Sequence, residues 1–314
     1  MPVPTPIPTS PRPIEEVPLS GLKADPEAFR WPAIAVMIPS DSEQYGLSQA
    51  SVVYEAVAEG NIPRFLAIFE QVQAEKIGPV RSARPYYVEW ACPYGALFVH
   101  WGGSPQVFPM LSESDCVYNM EGINWEGAYF RREVNEQVPW NSVFTRSDLL
   151  YKYLESWELP RFVDYRGYPH KEDAPLESRP LSATISLSFA YPVGYSYDRE
   201  GNDYLREYDG RPHLDRLSGE QLRAKNVAVI FVLQQPIPGD DQGRMQVQTT
   251  GEGKALLFLD GTLIEGRWVK TAPEAEMRFL DSDGKEIAFN RGTTWIEVVA
   301  PDQEVTYHLG QPYP

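Results

Sequence analysis

The chain has 314 residues, 42% of them hydrophobic and 12% aromatic. That is enough apolar material for two packed domains, and it excludes a disordered chain. A formal net charge of −16 excludes nucleic acid as a bulk partner, because phosphate backbones require a basic face. No apolar run reaches the roughly 18 residues of a membrane helix, and the scattered His100, His170, His213 and His308 lack metal-ligand spacing, so neither metal nor cofactor is expected.

Residues 1–30 carry prolines at 2, 4, 6, 8, 11, 13 and 18, alternating with Val, Thr and Ile. Such a segment favours polyproline II, buries little and reads as a semi-rigid stalk. It lacks the basic start and apolar core of a signal peptide. A stalk of this composition suits a protein held away from a membrane, and a removed leader is expected to have preceded Met1.

Residues 31–160 read as an N-terminal α/β domain. Ala33 to Ile38 is a short apolar run ended by a turn cluster, hence a buried strand. Ser51 to Glu59 alternates, with Val53, Glu55, Val57 and Glu59 on one face, and Arg64 to Gln71 alternates again after the turn at Gly60 to Pro63. Together they predict a β-hairpin with charges on an inward or cleft-facing side. Ile77 to Val80 is a short strand leading into Arg81-Ser82-Ala83-Arg84-Pro85. Ser82 is the expected cap of a helix through Tyr86, Val88 and Trp90, with Pro85 in its first turn. Ala96 to His100 is the clearest buried strand. It runs into Gly102-Gly103-Ser104-Pro105, where Ser104 reads as an N-cap and Pro105 as the first helical residue. Strand, glycine loop and capped helix together are the wiring of an α/β unit whose ligand sits at strand carboxyl ends. Another helix is predicted over Ser147 to Trp157. Cys92 and Cys116 either close a loop of about 25 residues, adding roughly 3 kcal/mol on the chain-entropy model, or are two small buried thiols.

Residues 161–180, rich in Pro, Gly and charge, read as a linker or long surface loop. Residues 181–302 then hold short β-type runs at 184–189, 194–198, 202–208, 227–233, 244–249, 255–259, 263–270, 276–281 and 294–299. Asp209-Gly210, Asp260-Gly261 and Asp283-Gly284 supply turns, which predicts a mostly antiparallel β-rich domain. The fold class is α+β: an N-terminal α/β domain with a mixed sheet, followed by this β-rich domain. Asp281-Ser282-Asp283-Gly284 resembles the start of a calcium loop, but the twelfth position is Gly292 and not an acid, so a hairpin turn is expected.

Several long motifs are similar to those of YerB-type bacterial lipoproteins, a two-domain family. They are Gly46-Leu47-Ser48-Gln49-Ala50, Val53-Tyr54-Glu55, Arg64 to Phe69, Gly78 to Pro85, His100 to Pro105, Tyr204-Leu205-Arg206, His213 to Asp215, Asn226-Val227 and Gly292 to Ile296. The resemblance spans about Leu19 to Ala300. It implies an extracytoplasmic, usually lipid-anchored protein, so the membrane would be met only through a removed N-terminal anchor; it supplies no activity. Where family members often read Pro-His-Asn, this chain has Pro139-Trp140-Asn141, so Trp140 stacks on a sugar or fills a core.

The charged motifs nominate a site. Arg81 and Arg84, beside a helix start, can clamp a phosphate or carboxylate bidentately, with Ser82, Gly102, Gly103 and Ser104 offering backbone donors, His100 a switchable one, and Arg64 and Glu59 completing the charge pattern. The alternative is that the arginines pair internally with Glu55, Glu59 or Glu70. Three readings follow. The first is a cell-envelope protein binding an anionic small molecule or envelope glycan. The second is an envelope enzyme on a phosphorylated glycan or polyprenyl-type substrate, with Glu55 or His100 as base. The order of strands before an arginine-bearing loop faintly resembles phosphotransferases that attach glycopolymers to cell walls, without their acidic motif. The third is a module that binds another envelope protein, with a structural arginine pair.

Overall fold

The computed structural model describes residues 15–24, 31–133, 141–158 and 165–311. Trp140 and most of the proline-rich segment lie outside the described residues, but Val17 and Leu19 at the end of that segment are core residues. The main strands of the first half are β1 (Ile34–Pro39), β2 (Val52–Val57), β3 (Pro63–Phe69), β4 (Leu97–His100) and β5 (Tyr118–Glu121). Its helices are α1 (Pro85–Ala91), α2 (Val107–Glu113) and α3 (Ser147–Ser156). The second half contributes β6 (Ala183–Ser188), β7 (Pro192–Asp198), β8 (Asp203–Tyr208), β9 (Asn226–Phe231), β10 (Gly251–Leu259), β11 (Thr262–Lys270), β12 (Arg278–Leu280), β13 (Thr294–Val299) and β14 (Thr306–Leu309).

Ten of these strands form one mixed sheet in the order β12-β11-β10-β9-β13-β2-β3-β1-β4-β5. It crosses the predicted boundary between the halves. β13, almost the last strand of the chain, inserts parallel to both β2 and β9, with Val53 opposite Trp295 and Glu55 opposite Glu297. A second sheet, built on β8-β7-β6-β14, packs over one face. The β-type runs of the second half therefore divide between two sheets, a partition that local alternation cannot encode. Both faces of the large sheet are covered, so every residue of β1, β2, β3 and β13 is buried and β1 reads as a continuous apolar run. β6 keeps one face in water and alternates buried with exposed.

The second sheet and α3 cover the face bearing Val36, Val53, Phe65 and Trp295. α1 and α2 cover the face bearing Met37, Tyr54, Leu66 and Ile296. Trp90 of α1 stacks on Tyr54 with ring centroids 5.0 Å apart. The Tyr87 hydroxyl donates to the carbonyls of Ala56 (2.6 Å) and Arg64 (2.9 Å), tying α1 to the β2–β3 hairpin. A disulfide joins Cys92, just after α1, to Cys116, just before β5. The Asp260-Gly261 turn has positive φ at both residues (53° and 73°), the requirement of the tight turn that joins β10 to β11.

Four expectations change. Ile77 and Gly78 make isolated bridges to Thr145 and Tyr45, not a strand. Helix α1 begins at Pro85 after Arg84, with no side-chain cap from Ser82, and α2 begins at Val107, two residues beyond Pro105. β2 stops at Val57, and Glu59 opens a short turn through Asn61, so Glu55 and Glu59 do not share a strand face. The segment read as a surface linker carries Tyr165 and Tyr168 in the core. Asp281 to Gly284 is a turn, its Asp281 carboxylate accepting from the amides of Asp283 and Lys285.

Candidate functional site

Because β1, β2, β4, β5, β9 and β13 all run the same way, their carboxyl ends lie along one edge of the large sheet. In open sheets this edge is the usual place for ligands. The loops predicted to carry the site meet there. Arg81 and Ala83 are zipped to the loop after β4: the Trp101 amide donates to the Arg81 carbonyl (3.0 Å), the Ala83 amide to Gly102 (2.9 Å), and the Ser104 amide to Ala83 (3.2 Å).

Glu59 is the centre of the cluster. Its carboxylate accepts from Arg64 Nη2 (2.8 Å) and from Arg84 Nε (2.7 Å) and Nη2. Arg64 also donates to the Ser82 carbonyl (3.0 Å), and Arg84 to its neighbour Ala83. A residue that the sequence did not nominate, Arg244, approaches Glu59 Oε1 to 3.8 Å while pairing with Asp240 at 2.8 Å. Burial would push the Glu59 carboxyl up, but the Arg64 and Arg84 guanidiniums outweigh it and hold the carboxyl below its ordinary value. Burial and the neighbouring Arg64 charge depress Arg84.

Arg81 stands beside this group. It is half-buried, feels the charges of Asp41, Arg84 and Glu59, and its side chain makes no hydrogen bond or ion pair among the described residues. Burial lowers its pKa, with Asp41 partly opposing the shift. Asp41, also missed by sequence reasoning, is anchored by Asn141 Nδ2 at 3.1 Å.

The remaining nominees are used differently. Glu55 is wholly buried between the sheets and pairs with Arg206, far from solvent. His100 is equally enclosed, with Nδ1 on the Gly102 carbonyl and Nε2 on Asn119 Oδ1, both at 2.8 Å, where it pins the ends of β4 and β5. Two of the four amides expected to receive an anion are already taken, Gly102 by Glu121 Oε1 (2.8 Å) and Ser104 by the Ala83 carbonyl (3.2 Å). Gly103 packs close to Val107, and the buried Ser104 hydroxyl has no partner among the described residues. Glu70 is turned away and accepts from the amides of Leu19 and Ser20 and from Tyr165. The cationic side chains, and not helix N-termini, define the site. No group of three or more metal-ligating side chains occurs among the described residues.

A surface groove of about 730 Å³, lined by Phe231, Lys254 and Tyr307, includes none of these arginines. A smaller cleft of about 260 Å³, lined by Val57, Asn61, Gln234 and Met245, opens on the same sheet edge as the arginines. For an anion, charge outweighs volume, which favours the arginine cluster.

Two family models cover most of the chain, the N-terminal and C-terminal domains of a protein of unknown function (DUF3048), matching residues 19–159 and 183–296. The chain belongs to this family. A DUF3048 relative described as "Putative lipoprotein YerB", from Bacillus subtilis (strain 168), is 33% identical over 304 residues, covering 91% of this chain and 86% of the relative. The crystal structure of the YerB protein from Bacillus subtilis matches with a TM-score of 0.81 at 30% identity, over 93% of this chain and 99% of that one. The Gly46-Leu47-Ser48 stretch, one of the motifs similar to YerB-type lipoproteins, has a structural explanation. The Gly46 and Ser48 amides and the Ser48 hydroxyl all donate to the buried carboxylate of Asp215, which lies in the other family segment.

Proposed function

We propose that this is a membrane-anchored, extracytoplasmic binding protein of the cell envelope whose carboxyl-edge arginine cluster takes an anionic, phosphorylated or carboxylated ligand. The location is supported by the lipoprotein relative and by the proline-rich start of the chain. The observation that carries the ligand class is the convergence of Arg64, Arg81, Arg84 and Arg244 around Glu59, with Asp41 and Asp240 as the other acids beside them, on a chain of net charge −16. In an acidic protein a surplus of guanidiniums at one open edge focuses a positive field on a small area. Glu59 holds Arg64 and Arg84 in place, and half-buried Arg81 keeps its donors for an incoming oxyanion.

An enzyme reading needs a base that meets the ligand, and the two nominated bases, Glu55 and His100, are both enclosed. The test is thermal unfolding of the full chain with inorganic pyrophosphate and with sugar phosphates, comparing wild type with Arg81→Gln and Arg84→Gln. A ligand-dependent rise in wild type that Arg81→Gln loses, while keeping its unliganded Tm, is the expected result. No rise in any variant, with Arg84→Gln strongly destabilised, would overturn it and leave the cluster as a fold element facing protein partners.

A further inference from the structure

The polar cluster sealed between the two sheets has more acid than base. Glu55 of β2 and Glu297 of β13 are register partners on adjacent parallel strands, so their side chains leave the sheet on the same face, side by side. Both are fully buried, and one guanidinium, that of Arg206 on β8, faces them. Arg206 Nη2 donates to Glu55 Oε2 and stands 4.0 Å from Glu297 Oε1, which accepts from the Tyr195 hydroxyl. Arg206 Nε donates to the Tyr195 oxygen (3.1 Å) and Nη1 to His213 Nδ1. His213 Nε2 in turn donates to Gln44 Oε1 at 2.7 Å, so this histidine is a neutral link. Burial, then the Arg206 charge, holds its pKa well below the ordinary histidine value.

Two oxygens of this network have no partner among the described residues, Glu55 Oε1 and Glu297 Oε2, one on each of the neighbouring carboxyl groups. The two groups are within hydrogen-bond reach of each other. With both ionised, the sealed cluster would carry two negative charges against one positive, and two buried acceptors would face each other, a costly arrangement. One proton removes both defects.

The geometry points to a single proton shared between Glu55 Oε1 and Glu297 Oε2, an acid–carboxylate pair under Arg206 that makes the seam between the two family segments a proton-binding site. The cluster is then electrically neutral and both orphaned oxygens are satisfied. Glu55 keeps the better contact with Arg206, so the proton resides mainly on Glu297. Burial and the adjacent Glu55 charge act the same way, raising the Glu297 carboxyl well above its ordinary value. The other titratable groups facing the pair are Tyr195 and Tyr208 from the second sheet and Tyr87 from across the large sheet, all pushed up by burial and so neutral, together with His213.

Folding thus takes up a proton, and the sign of the linkage follows. Stability from this pair is complete at acid pH and is lost as pH rises from the ordinary carboxyl value, about 4.3, through the folded one. In Glu297→Gln the amide mimics the acid, its nitrogen donating to Glu55 and its oxygen accepting from Tyr195. Urea unfolding of the full chain from about pH 5 to 8 should show the wild-type folded-to-unfolded ratio falling, relative to Glu297→Gln, by up to about tenfold per pH unit. Parallel profiles would overturn the proposal. An infrared spectrum of wild type needs no variant that must fold. A protonated-carboxyl stretch at neutral pH is expected, and it should survive in Glu70→Gln, which removes the other deeply buried carboxyl of the hairpin. Its absence from wild type, or its loss in Glu70→Gln, would overturn the shared proton.

Discussion

Glu55 and Glu59, four residues apart, begin two clusters of the same chemistry with opposite balance. Inside, two carboxyls share one guanidinium in a sealed space, and Tyr195, His213 and Gln44 complete the network. At the edge, several guanidiniums share one carboxylate, whose side chain keeps 25% of its surface in water. The end of β2 at Val57 separates them: before it Glu55 points between the sheets, and after it the chain turns and Glu59 leaves the core. Burial makes the inner cluster a fold element, since every charge there must be matched. Exposure lets the outer one carry an unmatched positive excess, which is what a ligand can use.

The inner cluster should break hardest. Arg206→Met leaves two buried carboxyls without a cation and should cost about 3–5 kcal/mol in urea unfolding; a loss near zero would mean that the seam tolerates both acids without it. Next is Asp215→Ala, which abandons the amides of Gly46, Ser48 and Leu217 at a joint between the two segments. We expect about 2–3 kcal/mol, because buried donors are left unpaired. Neither variant touches the arginines of the edge, so pyrophosphate should still raise the Tm of whatever fraction folds.

Much of this was legible in the sequence, and what was missed has identifiable causes. Strand positions follow from apolar runs and turn pairs, and the meeting of the Arg81 and Gly102 loops follows from strand–loop–helix wiring. The insertion of β13 beside β2 does not, because parallel pairing across more than 200 residues leaves no local signature. Glu55 could therefore be placed only on an inward or cleft-facing side and offered as a base: its alternation with Val53 and Val57 is visible, but Arg206 and Glu297 come from distant strands. Arg244 was hidden for the same reason, in a Pro/Gly-rich turn far along the chain. His100 read as a ligand-facing donor because it ends a strand before two glycines, yet Asn119 and Glu121 of the next strand enclose it.

The smallest expected effect on stability sharpens the comparison most. Glu59→Gln removes the carboxylate but keeps an amide oxygen for Arg64 and Arg84, which retain their bonds to the carbonyls of Ser82 and Ala83. The cost should be about 1 kcal/mol, as for partly exposed pairs. Because the Glu59 carboxyl is held below its ordinary value, the stability it contributes is present above about pH 4.3 and is lost as pH falls through the folded value. The variant should lack that acid-side decline, the mirror image of the alkaline-side loss expected from Glu297. Freed of their internal counter-ion, the arginines should bind pyrophosphate more tightly, giving a larger ligand-induced rise in Tm than wild type shows. A rise that disappears instead would mean that Glu59 itself contacts the ligand, and the edge would then be a site for a cation or a mixed-charge group.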